Sequence, residues 1–295
     1  MGLMIGGHIG QFAAVVPFLF AGMTFIGSLK IDYATFVQTI KRPKGIFTAM
    51  LILRVLMPAI ALLFGRTFFP QNIYTQTGLL LFGLIPVGVN SVLWTVITKG
   101  NVALSLSVVL LDTLLSPIIL PFSVLLLTGA NIDIDTMGIA ISMLLMVVLP
   151  SIAGMTLNQW TKGEFGTKYS GKLAPLGKIL LLTVIMINGG SVRSYFPPMS
   201  LSLLGIMMSI AMLAVTGYFL SWGMTKLLKL PDQDAKAVVF SGGMRNMNTG
   251  VVIALAHFPP AAAIPIISGI LFQHAVCAVM SKLLERYYDK PEIEQ

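Results

Sequence analysis

Three ionisable side chains fall inside otherwise apolar stretches of this sequence: Arg54, Asp112 and Arg245. A charge held at membrane depth is costly, and by default it marks a place where a substrate, ion or proton is handled. Arg245 carries the sharpest chemistry. A guanidinium keeps its proton inside proteins, and its planar fork matches a carboxylate bidentately. It lies within Ser241-Gly242-Gly243-Met244-Arg245-Asn246-Met247-Asn248-Thr249-Gly250, which interrupts the apolar segment Ala235 to Phe258. A second segment, Thr77 to Thr98, is interrupted by Pro86-Val87-Gly88-Val89-Asn90-Ser91. Non-helical backbone at membrane depth is tolerated only inside protein or along a water-filled cavity. A matched pair of interrupted spans points to a transporter binding site, where freed carbonyls hold a cation and half-helix N-termini an anion. The candidate substrate contacts are Asn90, Ser91, Arg245, Asn246, Asn248 and Thr249.

Two readings of the charges stand side by side. Arg245 is either a counter-charge for an anionic substrate or the buried partner of Asp112. Asp112 is either a proton carrier or a static partner of Arg245 or Arg54. Arg54, four residues before Pro58, reads as a structural pair for Asp112. His274 with Gln273 reads as a hydrogen-bonding helix contact, and Cys277 as inert. The methionines and the aromatics, Trp94 and Trp222 among them, read as core and interface filling. No metal-ligand spacing, catalytic triad or phosphate loop is visible.

The elements that position these groups must be membrane helices. The chain of 295 residues is 56% hydrophobic and only 10% charged, against roughly 25% charged for a soluble domain. The single cysteine rules out an internal disulfide. We read an all-α polytopic membrane protein with nine spans, at about 9–29, 45–68, 76–98, 101–127, 136–159, 174–195, 200–225, 235–258 and 260–284. A surface helix is expected over 32–41. The start is uncharged and merges into the first span, so no cleavable signal is expected.

Orientation follows from lysine and arginine. With the N-terminus outside, the inner loops hold Lys30, Lys41, Arg42, Lys44, Lys99, Lys162, Lys168, Lys172, Lys178, Lys226, Lys229, Lys236, Lys282, Arg286 and Lys290, and the outer loops only Arg66 and Arg193. This bias accounts for the net charge of +8 without a nucleic-acid partner. The C-terminus is then cytoplasmic, and the compact loops suggest a bacterial inner membrane. Each broken span is followed at once by an intact one, and the two broken spans enter from opposite sides. That fits an inverted repeat within a single domain over 1–295: a first repeat at about 9–127, a second at about 136–284, and a polar tail over 285–295.

The run Lys99-Gly100-Asn101-Val102-Ala103-Leu104-Ser105, preceded by Pro86-Val87-Gly88, resembles the sodium/bile-acid symporter family. So does Gly243-Met244-Arg245-Asn246 followed by Ala254-Leu255-Ala256-His257-Phe258. The similarity runs from about Phe12, through Arg42-Pro43-Lys44 and Met57-Pro58, to the ninth span. It implies core and panel domains, two broken helices that cross, and transport of organic anions commonly with sodium. It also implies sodium-ligand positions, where this chain keeps Ser91 and Ser105. It has Val92, Val109, Ser241, Arg245 and Leu53 where the family has asparagine, threonine, glutamate, glutamine and glutamine. The one expected carboxylate is gone and a cation stands nearby.

The expectation is a secondary transporter of an organic carboxylate or sulfonate, with Arg245 replacing a sodium ion. Ion coupling would involve Asp112, Ser105, Ser241 and Arg54, with Asp112 neutralising Arg245 in the empty state. Sodium or a proton remains a possible coupling ion; no cofactor is expected. The partners implied are a small organic anion and lipids, with no nucleic acid or protein. The alternatives are conventional sodium symport, a non-transporting membrane sensor, and, more distantly, a membrane enzyme.

Overall fold

The computed structural model describes residues 10–29, 43–128, 135–192 and 200–288. The expected surface helix over 32–41 lies outside them. The described helices are α1 Val16–Ser28, α2 Pro43–Phe68, α3 Ile73–Leu84, α4 Asn90–Ile97, α5 Val102–Thr128 and α6 Thr136–Trp160. They continue as α7 Glu164–Val192, α8 Leu201–Leu227, α9 Asp232–Gly243, α10 Met247–His257 and α11 Ala263–Tyr288. Long runs of Leu, Ile, Val and Met leave the backbone only one way to satisfy itself without water, which is the helix. Capping side chains set several starts. Asn72 accepts from the Thr75 N–H, Asp135 from Gly138 and Ser200 from Leu203. Helix α3 with α4, and α9 with α10, each form one broken span, so the protein is a polytopic helical membrane protein.

Two intact spans widen locally. Helix α2 has a π turn at Ile52–Leu56 just before Pro58, and α6 has one at Leu144–Val148 just before Pro150. Proline has no N–H and its ring crowds the carbonyl four residues back; one extra residue in the turn absorbs the mismatch.

The helix bounds correct the sequence reading in three places. Helix α7 starts at Glu164 and not near 174, so Lys168, Lys172 and Lys178 ride on it. Long aliphatic stems let lysines sit on a helix end while their heads reach water. Helix α11 runs on to Tyr288, so the tail begins later than 285. The second break is only Met244–Asn246 wide; Gly242, Gly243 and Gly250 are helical. Their small size serves close packing: a Cβ on Gly243 would run into the Tyr218 ring.

The helices pack in two groups. Helices α1, α6 and α7 share an apolar cluster that includes Val16, Phe20, Met146, Val147, Val184 and Ile187. Helices α2–α5 and α8–α11 form the other group. The groups meet where α5 lies on α6 and α10 lies on α6 and α7. At that end Leu120, Val124, Ile139, Met143 and Ala254 belong to one apolar cluster, and the Ser142 hydroxyl meets His257 Nε2 at 2.8 Å. This seam closes one end of the space between the groups.

Candidate functional site

The two breaks cross and pair with each other. Val87 and Arg245 form an isolated antiparallel bridge. The Gly88 N–H donates to the Met244 carbonyl at 3.1 Å, and the Asn246 N–H donates to the Pro86 carbonyl at 2.8 Å. Two further backbone donors each find a side chain on the long helix that follows their own break. The Val87 N–H donates to Asp112 Oδ2 of α5, and the Arg245 N–H to Gln273 Oε1 of α11, both at 2.8 Å. The Leu84 carbonyl, freed where α3 stops, accepts from Arg54 Nη1 at 3.0 Å. An unwound segment survives at membrane depth when its donors and acceptors are satisfied in this way.

Crossing this closely requires a residue without a side chain at position 88. A Cβ there would stand 2.9 Å from the Arg245 carbonyl oxygen. We expect Gly88→Ala to cost about 1–3 kcal/mol through overpacking, read as a lower unfolding midpoint in detergent. An unchanged midpoint would mean that the crossing is looser than described.

Asp112 is held by Arg54 and not by Arg245. Arg54 Nε lies 2.6 Å from Asp112 Oδ1 with both side chains almost wholly buried, and Arg54 Nη2 also donates to the Asp112 carbonyl at 2.7 Å. The expected Asp112–Arg245 pair is therefore corrected. Helix α2 packs on α5, and Arg54 lies within its π turn. Fixed by a guanidinium and a backbone amide, Asp112 is part of the scaffold of the first break.

Arg245 is left as a different kind of charge. It is 2% exposed, and Nε, Nη1 and Nη2 have no hydrogen-bond partner among the described residues. The hydroxyls of Ser91, Ser105, Ser241 and Thr249 are also buried without a partner among those residues. Buried polar groups without a protein partner are groups that a ligand, an ion or an ordered water can satisfy.

Beside the crossing lies a cavity of about 300 Å³ between the two groups of helices. The crossing contributes Asn90, Arg245, Asn246 and Asn248, and α11 contributes Gln273 and His274. Apolar walls come from Phe20 and Met23 of α1, Val109 of α5 and Leu181 of α7. Helices α4 and α10 start at its edge, so the positive ends of both half-helices face it. Asn246 also caps α10, its oxygen accepting from the Thr249 N–H at 3.3 Å. Ser91 and Thr249, read from sequence as contacts, are buried and do not line the cavity. Gln273 and His274 do line it, although they read as an ordinary helix contact. The available signal was a glutamine in an apolar helix, aligned behind its break as Asp112 is behind the other.

A family model, the Sodium Bile acid symporter family, matches residues 16–197. The chain belongs to the sodium/bile-acid symporter family. It is similar over its whole length to a Bacillus subtilis protein, "Uncharacterized protein YbaS", 35% identical over 295 residues and covering 96% of that protein. A second Bacillus subtilis relative, "Uncharacterized sodium-dependent transporter YocS", is 28% identical over 251 residues, 84% of this chain and 76% of that one. "Arsenical-resistance protein Acr3" of Alkaliphilus metalliredigens is 24% identical over 301 residues, 94% of this chain and 82% of the other. Membership makes this symporter-family chain a multi-pass membrane transporter.

Proposed function

We propose that this transporter carries a small organic anion, a carboxylate or sulfonate, and that Arg245 supplies the positive charge other family members take from sodium. One observation carries the reading: a buried guanidinium without a partner among the described residues, at the crossing of two broken helices and beside a cavity. The cavity sits at the lower end of the usual ligand range of about 300–1,000 Å³, which favours a short keto or hydroxy acid over a steroid. Asn90, Asn246 and Asn248 give amides for the anionic head, and Phe20, Met23 and Leu181 give an apolar wall for the body.

Sodium fits these donors poorly. The hydroxyls of Ser91, Ser105 and Ser241 offer oxygens, but the side chains of Val92, Val109 and Leu53 offer none, and Ser241 stands where the family has its glutamate. At about 4 Å two like charges repel by roughly 4 kcal/mol at an effective dielectric near 20. With the lysine-rich loops taken as cytoplasmic, the His257 seam closes the outer side and the cavity faces inward. Alternating access would then be movement of the group holding the breaks against α1, α6 and α7.

The reading is tested by thermal stabilisation of the purified protein with lactate, isethionate or cholate, each in sodium and in choline. We expect at least one of the short anions to raise the midpoint equally in both salts. Stabilisation that appears only with sodium would overturn the reading. It would favour conventional sodium symport, which the name of the YocS relative and the unpartnered hydroxyls support.

A further inference from the structure

The charges inside the membrane do not cancel. Arg54 and Asp112 neutralise each other at 2.6 Å, while Arg245 has neither an ion pair nor a hydrogen-bond partner among the described residues. In the sequence, Asp112 is the one acidic residue at mid-membrane depth; the other ten lie in loops, tails or span ends. The group of helices that holds the crossing therefore carries one uncompensated positive charge when empty, and none when a monoanion is bound.

We infer that transport by this protein is electrogenic in the sense opposite to sodium-driven uptake, so that a negative-inside membrane potential drives the organic anion outward. The inference rests on the proposed replacement of sodium by Arg245. With no co-transported cation, each turnover moves the charge of the substrate and nothing else, however the field is divided among the steps. For a monoanion the loaded carrier is neutral and crosses without regard to the potential. The empty carrier bears the charge of Arg245 and is drawn back to the inner face. Moving one elementary charge through about 100 mV is worth roughly 2.3 kcal/mol, so each ~60 mV sets about a tenfold outward gradient of the anion. The cavity's lining reaches Gly27 and Ser28 at the C-terminal end of α1, on the side of the lysine-rich loops, where such a carrier would rest. A symporter that takes two sodium ions with each monoanion moves net positive charge inward and accumulates its anion under the same potential.

The test uses the full chain in proteoliposomes without sodium, with the potential set by a potassium gradient and valinomycin. The probe is whichever of lactate, isethionate and cholate gives the largest thermal shift, loaded inside as the labelled acid. We expect efflux to accelerate as the interior is made more negative, by up to about tenfold per ~60 mV, and to be indifferent to added sodium and to a pH gradient. Without substrate, voltage jumps on the reconstituted membrane should evoke transient currents that the saturating probe anion suppresses and Arg245→Gln abolishes. Efflux that ignores the potential while binding stays sodium-independent would overturn the electrogenic inference and leave the proposed function standing. The same holds if transients persist in Arg245→Gln. A requirement for sodium in the thermal shift would instead overturn both.

Discussion

Arg245→Gln is expected to raise the unfolding midpoint of the empty protein and, in the same variant, to remove sodium-independent stabilisation by organic anions. The two effects have one cause. A guanidinium buried at 2% exposure without a hydrogen-bond partner among the described residues burdens the empty fold, because an ion taken out of water costs several kcal/mol unless its partners repay it. A shorter, neutral amide relieves that cost. Under the proposed function, the bound anion repays it in the working protein. A hydrogen bond to a charged group contributes about 1.5–3 kcal/mol, so losing the ion pair should weaken binding by roughly ten- to a hundredfold. Thermal unfolding with and without the anion reads both numbers. A lower midpoint in the empty variant would mean that Arg245 holds the fold together. Unchanged anion stabilisation would mean that it does not touch the substrate's charge.

The second large effect concerns Asp112. Asp112→Asn leaves Arg54 as a buried cation whose remaining contacts are the Leu84 and Asp112 carbonyls and Ser116, and breaking one partner of a buried pair costs about 3–5 kcal/mol. It also weakens the acceptor that holds the Val87 N–H. Removing both charges should recover much of the loss, since apolar replacements of a buried pair are often neutral or better. A double-mutant cycle of Asp112→Asn and Arg54→Met, scored by unfolding midpoint, should give a coupling of at least about 2 kcal/mol. Additive effects would contradict the pair. If Asp112 were instead a proton carrier, Asp112→Asn would leave the fold intact and flatten the pH dependence of transport.

The sequence made the membrane helices and both breaks legible because their signals are local. Apolar runs set the spans, and Pro86 with Gly88 marks a place where a helix stops donating to itself. What it could not give was which distant side chains answer the freed backbone groups. Arg54 and Asp112 are 58 residues apart, and Arg245 and Gln273 are 28 apart. With two arginines and one carboxylate at depth, the pairing could be drawn either way; in the fold Arg54, within the π turn before Pro58, is the one that meets Asp112. The second break also read too wide, because glycines that permit unwinding equally permit close helix packing, as Gly243 does against Tyr218. Ser91 and Thr249 read as contacts because their hydroxyls fall within the two polar breaks, yet each sits one residue past a lining asparagine, a step that on a helix turns a side chain by about 100°, and both are buried.

The claim that Arg245 stands where sodium would act is tested most directly by titration calorimetry of the stabilising anion at several sodium concentrations, with choline keeping ionic strength constant. Binding linked to sodium must strengthen as sodium rises, because linkage is reciprocal. The account predicts a plot of log affinity against log sodium with zero slope. A slope near one or two would contradict it, and would mean that sodium still accompanies the anion into a site rebuilt around the hydroxyls of Ser91, Ser105 and Ser241.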